Sequence, residues 1–105
     1  MNAPDLHKWI ADIMSRDAIT FEDAYWAIRP SPELAVPLIL EKMRITHDAY
    51  TRGKLIELLG ESEDASVIPI LEDELNHVEE SIREWARGAI QALTRGDRWQ
   101  QDPKY

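Results

Sequence analysis

Two stretches of this chain, 32 residues apart, carry the same arrangement of apolar residues around a proline. AVPLI at 35–39 matches VIPIL at 67–71, and the apolar positions of 55–59 match those of 89–93 at an offset of 34. A repeat of this length, read as helix–turn–helix, is typical of an α-solenoid, in which stacked helical hairpins share one core. A single hairpin cannot bury its apolar face alone, so this repeat constrains the fold more than any other feature.

The spacing of apolar residues by three and four predicts six helices. The first is expected over 5–16 and the second from Thr20 to Arg29, before Pro30 and Pro32. The third follows Ser31, with Pro37 either bending it or marking its true first turn. A fourth helix is predicted from Asp48 to Gly60, followed by a polar connection over 61–66. A fifth helix then runs to Leu75, and a turn over 76–79 leads to a sixth helix that ends at Gly96.

Residues that suit helix N-termini precede most of these segments. The predicted caps are Asn2 or Ala3 with Pro4 in the first turn, Thr20 in a capping box with Asp23, Ser31, Asp48, and Ser66 or Asp64. The apolar stripes predict a core that includes Trp9, Leu34, Ile45 and Trp85. Outside these segments no stretch alternates as a half-buried strand does.

We therefore predict one all-α domain over residues 1–105, a short α-solenoid of about three antiparallel helical hairpins built from six helices. The hairpins are expected at about 4–29, 31–60 and 64–95. The tail, 96–105, has no period and is expected to be partly disordered, with Trp99 able to fold back on the last helix.

The same residues resemble a known family of repeats. Leu58-Leu59-Gly60-Glu61, then Ile68-Pro69-Ile70-Leu71, then Ile82-Arg83 with Ala86, Ala89, Ile90 and Leu93 resemble HEAT-like repeats of the phycobilin-lyase type. The resemblance is good over 55–93, fair over 34–59 and weak in the first hairpin, which has bulky aromatic residues and no aligned proline. It implies a solenoid with closely packed second helices and a divergent first hairpin as its cap. It implies little about function, because such repeats serve many roles.

The negative charge of the chain is concentrated in one region. Between Glu57 and Glu84 there are ten carboxylates and one cation, Arg83. This stretch therefore carries a charge of −9, and the rest of the chain sums to about +1, for a total of −8. Binding to nucleic acid depends on clustered Lys and Arg, so this charge argues against a nucleic-acid partner. A basic protein is the partner that fits, although an acidic face can also serve only solubility.

Composition excludes several other classes. There is no cysteine, which excludes disulfides, thiolate metal sites and a thiol nucleophile. No apolar run resembles a signal peptide or reaches the ~20 residues of a membrane span. We expect a soluble, cytoplasmic protein that does not bind membranes. Paired carboxylates are abundant, but carboxylate catalysis needs two of them in a cleft, and a solenoid of three hairpins rarely has a deep one. No GxSxG, P-loop or GxGxxG motif occurs, so we expect no enzyme activity.

The candidate binding residues are carboxylates, two arginines and one tryptophan. Glu72, Asp73 and Glu74 are expected to point outward together, Arg83 to bridge Glu80 or another repeat, and Arg87 to pair with Glu84 or Glu80. Trp26 neighbours Tyr25 and cannot share its face, so an exposed edge there would anchor a partner. The full predicted set is Glu57, Glu61, Glu72, Asp73, Glu74, Glu80, Arg83, Glu84, Arg87 and Trp26.

Histidines offer a weak alternative. His47 and His77 both precede the second helix of a repeat and could join Asp48 and Glu79 around a metal. The spacing of a zinc motif is absent, so we expect neither metal nor cofactor.

The sequence thus favours a non-enzymatic module that binds a basic protein through an acidic strip, for example an immunity protein that inhibits a cationic toxin. The alternatives are a lyase-like or chaperone-like subunit acting on a prosthetic group, which the resemblance implies, and a general scaffold or adaptor. We expect a monomer, or a weak homo-oligomer formed through the solenoid ends.

Overall fold

A computed structural model of the chain describes residues 5–27 and 29–96. These residues form six α-helices and no strand, which confirms the all-α prediction. In order, the helices are α1 (Leu6–Ile13), α2 (Ala18–Trp26), α3 (Pro32–Ile45), α4 (Ala49–Gly60), α5 (Ile68–Glu74) and α6 (Glu80–Arg95), with a 3₁₀ turn (Ala65–Val67) before α5. The N-cap of α1 is Asp5, whose carboxylate accepts from the His7 and Lys8 N–H groups, so the cap predicted at Asn2 or Ala3 is wrong, and the helix ends at Ile13, before the predicted end at Arg16. Pro4, Ile28 and the tail beyond Gly96, with Trp99, lie outside the described residues.

The helices pack as three hairpins, α1–α2, α3–α4 and α5–α6, joined by contacts of α1 with α3 and of α4 with α6. One apolar core runs through all three, from Trp9 in α1 to Ala89 in α6. The contact between α4 and α6 is the most extensive in the molecule. The packing is that of a short solenoid, with α4 at its centre.

Local sequence explains most helix boundaries. The Asp48 carboxylate accepts hydrogen bonds from the Thr51 backbone N–H and hydroxyl and caps α4 as predicted. Asp64 caps the 3₁₀ turn through the Ser66 N–H. Gly96 ends α6 with φ of 84°, the left-handed conformation that glycine favours.

Three further boundary predictions need correction. The cap of α2 is Asp17, whose carboxylate accepts from the Thr20 N–H, so the helix begins earlier than a cap at Thr20 would allow. That helix ends at Trp26, before Arg29. Pro37 lies inside α3, which already starts at Pro32, so it does not mark the first turn.

Glycine decides how closely α4 meets α6. A Cβ on Gly60 would lie 2.7 Å from the Ala89 Cα and 2.9 Å from its Cβ. Both distances are shorter than those between non-bonded carbon atoms in proteins. Gly60 was predicted to end α4 as a C-terminal glycine, and it is the last residue of that helix. Its structural role, however, is this close contact with α6. A similar limit applies to Gly53, where a Cβ would meet the Trp85 indole at 2.8 Å.

The apolar stripe of α3 is narrower than predicted. Ala35, Val36, Ile39 and Met43 are buried, whereas Leu34 and Ile45 are exposed. The two exposed residues lie in the first and last turns of α3, at the edges of its buried face. Within the described ranges no helix is both long and apolar enough to cross a membrane.

Gly60→Ala should destabilise the fold by about 1–3 kcal/mol, because the added methyl forces apart two helices whose backbones touch. The matched control is Gly88→Ala, where nothing lies within 4 Å of the added Cβ. Alanine is the better helix former, so Gly88→Ala should stabilise by about 0.5–1 kcal/mol. Urea denaturation of both variants measures the difference, and a Gly60→Ala midpoint at or above wild type would contradict the packing argument.

Asp48 should contribute acid-sensitive stability. The Thr51 hydroxyl, the Thr51 N–H and Arg16 hold the pKa of this carboxyl down, to about 2. A depressed carboxyl pKa stabilises the fold above the unfolded pKa of about 4, and this contribution disappears as the pH falls through about 2. Asp48→Asn keeps a capping oxygen but cannot titrate, so its urea midpoint should fall less than that of wild type between these pH values.

The control for this comparison is Asp73→Asn, because Asp73 is exposed and its carboxylate has no partner among the described residues. It should reproduce the wild-type pH dependence. If the urea midpoints of Asp48→Asn and wild type fell equally as the pH is lowered, the Asp48 cap would not be the source of the acid-sensitive stability.

Candidate functional site

The carboxylates of the predicted binding set fall into three structural classes. Glu57 and Glu61 bind groups of the first hairpin, Glu74 is buried in an ion pair with the second hairpin, and the others are exposed at one end of the third hairpin. The classes could not be distinguished in the sequence, where these residues form one acidic stretch, and they have different consequences for function.

Glu74 does not point outward with its neighbours, contrary to the prediction. It is buried at the end of α5 and forms an ion pair with Arg52 of α4, with Oε1 2.7 Å from Nε and Oε2 2.8 Å from Nη2. Arg52 also donates to the Met43 and Thr46 carbonyls. The hydrogen bond from Arg52 lowers the pKa of the Glu74 carboxyl. This residue therefore joins the second and third hairpins and is not available to a partner.

Glu57 and Glu61 connect the first and second hairpins. The Tyr25 hydroxyl donates to Glu57 Oε2 at 2.6 Å and to Glu61 Oε2 at 3.3 Å. The buried Arg29 guanidinium donates to Glu61 Oε1 at 2.8 Å and lies 4.6 Å from the centre of the Tyr25 ring. Burial, and then the hydrogen bond to Glu57, raise the pKa of the Tyr25 phenol, which keeps it a neutral donor. Sequence reasoning gave Arg29 and Tyr25 no role here.

Five exposed carboxylates lie at one end of the third hairpin, namely the four remaining carboxylates of the predicted set and Glu79. Two lie in the last turn of α5, one occupies the N-cap position of α6 without a side-chain capping bond, and two lie in the first turns of α6; we call Glu72, Asp73, Glu79, Glu80 and Glu84 the acidic end. Within the described chain no hydrogen bond or ion pair reaches any of these side chains. These side chains are exposed and unpaired, and Glu79 and Glu80 lie at the N-terminal end of α6, where the helix dipole favours negative charge.

Arg83 does not neutralise the acidic end. Its Nη1 donates to the His77 carbonyl at 2.6 Å and to the Val78 carbonyl at 3.1 Å, and so ties α6 to the turn before it. The predicted ion pair between Arg83 and Glu80 is wrong. The prediction also gave Arg83 a structural role, and its hydrogen bonds to the turn agree with that part. Arg87 is exposed, and the described residues give it no ion pair with Glu84 or Glu80.

A groove runs along α4 between α2 and α6. It consists of two adjoining depressions of about 450 and 290 Å³, which share Glu57 and Trp85 as lining residues. The larger depression is lined by Phe21, Ala49, Tyr50, Lys54, Glu57, Ser81 and Trp85, and the smaller by Glu57, Gly60, Glu61, Trp85, Gly88, Ala89 and Ala92. We call this surface the α4 groove.

Trp85 faces this groove instead of the core, which corrects the prediction made for it. It is 43% exposed, whereas Trp9, assigned to the core on the same grounds, is 5% exposed. The small residues between α4 and α6 bring the two helices too close for an indole to fit between them. The ring therefore lies at the edge, against Gly53.

Other aromatic and histidine side chains are placed as follows. Trp26 is 45% exposed and contacts Tyr25 edge to face, with ring centres 5.0 Å apart. His77 accepts a hydrogen bond at Nδ1 from the Glu79 N–H. In the part of the chain that the structure describes, no group of three or more His, Asp or Glu side chains is placed to hold a metal ion.

No family model, curated protein or solved structure matches this chain. The HEAT-like resemblance therefore stays a prediction from the sequence, and the functional argument depends on the surfaces described above.

Replacing Glu74 with Gln should cost about 1–2 kcal/mol of stability, because it removes the charge that neutralises a largely buried arginine. Glu72→Gln is the matched control: the residue belongs to the same helix but is exposed and unpaired, so we expect a change within about 0.5 kcal/mol. Thermal or urea unfolding at neutral pH measures both. Equal midpoints for the two variants would show that the Arg52–Glu74 pair adds nothing.

Proposed function

We propose that the protein is a non-enzymatic module that binds a basic protein partner, and that the acidic end is the surface that attracts it. The observation that carries the proposal is the concentration of five unpaired carboxylates at the acidic end. Elsewhere acidic residues are paired across hairpins, as Glu61 with Arg29 and Glu74 with Arg52, or are exposed without forming so large a group, as Glu33 and Glu41 are. Concentrated like charge repels itself and lowers stability, so a binding role accounts for it better than chance does.

Electrostatic complementarity acts mainly on the rate of encounter and on the choice of partner. A surface of five carboxylates would steer a cationic protein toward the third hairpin, and added salt would weaken that attraction, since exposed charges are screened within about 8 Å at physiological ionic strength. The tight affinity would then come from apolar and aromatic contacts near this surface.

A concrete form of this function is an immunity or inhibitor protein for a cationic toxin such as a nuclease. Carboxylates placed against the phosphate-binding residues of a nuclease would compete with its substrate by charge alone. A cytoplasmic location fits this role and belongs to the same proposal. A basic partner whose nuclease activity is lost on adding an equimolar amount of this protein would support this form.

A second candidate, from another class, is a subunit that handles a prosthetic group. The observation that favours it is the larger depression of the α4 groove, whose walls include Phe21, Tyr50 and Trp85 and would suit a flat conjugated ligand. Visible absorbance of the protein purified from its source would support this candidate, and a colourless protein that captures a basic partner would support the first.

The binding proposal is tested by charge reversal. The triple variant Glu72→Lys, Asp73→Lys, Glu80→Lys should reduce capture of a basic partner from the source cell by at least about tenfold at low salt, because it replaces attraction with repulsion. Wild-type capture should itself weaken as the salt concentration is raised from about 50 to about 300 mM.

The matched control reverses Glu22, Glu33 and Glu41 to Lys. These residues are also exposed, lie in the first two hairpins, and change the net charge from −8 to −2 as the test variant does. Capture should survive in this control. If both triple variants lose the partner equally, net charge alone explains binding; if neither loses it, the acidic end serves only solubility.

A further inference from the structure

Aromatic rings in and beside the α4 groove already carry cations of the same chain. The Lys54 ammonium lies 4.1 Å from the ring centre of Phe21 and 4.0 Å from that of Tyr50, and it donates to the Ser15 carbonyl at 3.0 Å. The Arg29 guanidinium lies over Tyr25. A cation over an aromatic face is held by the ring quadrupole. Contacts between a cation and an aromatic ring thus occur at more than one place beside α4, and the Lys54–Phe21 contact joins the first hairpin to the second.

Trp85 is the exception among these rings. Indole is the aromatic system that holds a cation best, and Trp85 is 43% exposed with no cation over it from the described residues. Gly53 lies against one part of the ring, while the ring lines both depressions of the groove. Its exposed surface is thus presented to whatever occupies the groove.

Glu57 supplies a charge beside this ring. Its Oε2 accepts from the Tyr25 hydroxyl, and no described group donates to its other oxygen. Like Trp85, it lines both depressions, so both residues border the place where the depressions join. The molecule uses the same chemistry once internally: the Arg29 guanidinium lies over the Tyr25 ring and donates to the Glu61 carboxylate.

Arg29 lies beside the groove and is paired with Glu61. Lys54 keeps its positive charge between two rings, with a carbonyl as its hydrogen-bond acceptor, and lines only the larger depression. A further cation is therefore favoured at the junction with the smaller depression, which Glu57 and Glu61 line and Lys54 does not. The larger depression also presents Ala49 and Phe21, which suit the methylene stem of a long side chain.

The geometry points to an arginine side chain of the basic partner as the occupant of the α4 groove, its guanidinium stacked on Trp85 and donating to Glu57. Arginine fits better than lysine because its planar group can stack on an aromatic face and donate to a carboxylate at the same time. This inference rests on the proposed function and adds a specificity pocket to it. The acidic end would attract the partner, and the pocket would select an exposed arginine on it.

The test uses the full chain and three short peptides, acetyl-Gly-Arg-Gly-amide and its lysine and citrulline counterparts. Citrulline has nearly the shape of arginine without the charge. The readout is the NMR signal of each tryptophan indole N–H, with the Trp85 signal assigned from Trp85→Phe. We expect the arginine peptide to shift the Trp85 signal saturably in the millimolar range, with binding about fivefold weaker for lysine and no saturation for citrulline.

Two variants locate the pocket. Glu57→Gln keeps an oxygen for the Tyr25 hydroxyl but removes the charge, and Trp85→Leu keeps an apolar side chain but removes the ring. Each should weaken arginine-peptide binding by at least about fivefold. For Trp85→Leu the readout is the backbone amide of Ser81. Trp26→Phe is the control, since that exposed tryptophan lies outside the groove, and it should leave binding unchanged.

The outcomes separate this inference from the proposed function. Equal shifts with arginine and citrulline, or shifts centred on Trp26 or the acidic end, would overturn the pocket. So would capture of the basic partner that survives Trp85→Leu and Glu57→Gln but not reversal of the acidic end, although the proposed function would then stand. Saturable arginine binding at Trp85 with no captured basic partner would support the pocket and count against the proposed function.

Discussion

The close contact between α4 and α6 is the constraint on which the rest of the structure depends. Gly60 and Ala89 let the two backbones touch, and Gly53 accepts the edge of the Trp85 ring. Because the helices approach so closely, α4 becomes the buried centre of the molecule and Trp85 cannot enter the core. The aromatic groove along α4 is a direct result of packing with small side chains.

The distribution of charge follows from the same arrangement. Hairpins stacked around α4 bring cations of one hairpin to carboxylates of the next, as in Arg29 with Glu61 and Arg52 with Glu74. Such pairs fix the hairpins relative to one another because their charges are partly desolvated and both oxygens of each carboxylate accept a hydrogen bond. The five carboxylates of the acidic end lie outside these pairs, and the proposed function depends on them.

Much of the fold was predictable because its determinants are local. Helical periodicity, the Asp48 cap and the glycine at the end of α6 all operate within a few residues, and each is confirmed. The candidate site was less predictable. Position 85 has the same spacing from its apolar neighbours as a core residue, and Glu74 follows two exposed acidic residues, so periodicity and composition assigned both incorrectly.

Six helices in a repeating hairpin order, with the negative charge in one region, follow from the sequence alone. Those properties depend on side-chain periodicity, caps and composition, which act over short distances along the chain. Which carboxylates are paired and which tryptophans are exposed depend on the tertiary structure. Those outcomes depend on how closely helices distant in sequence approach one another, because that separation sets both the room for a side chain and the charges within its reach.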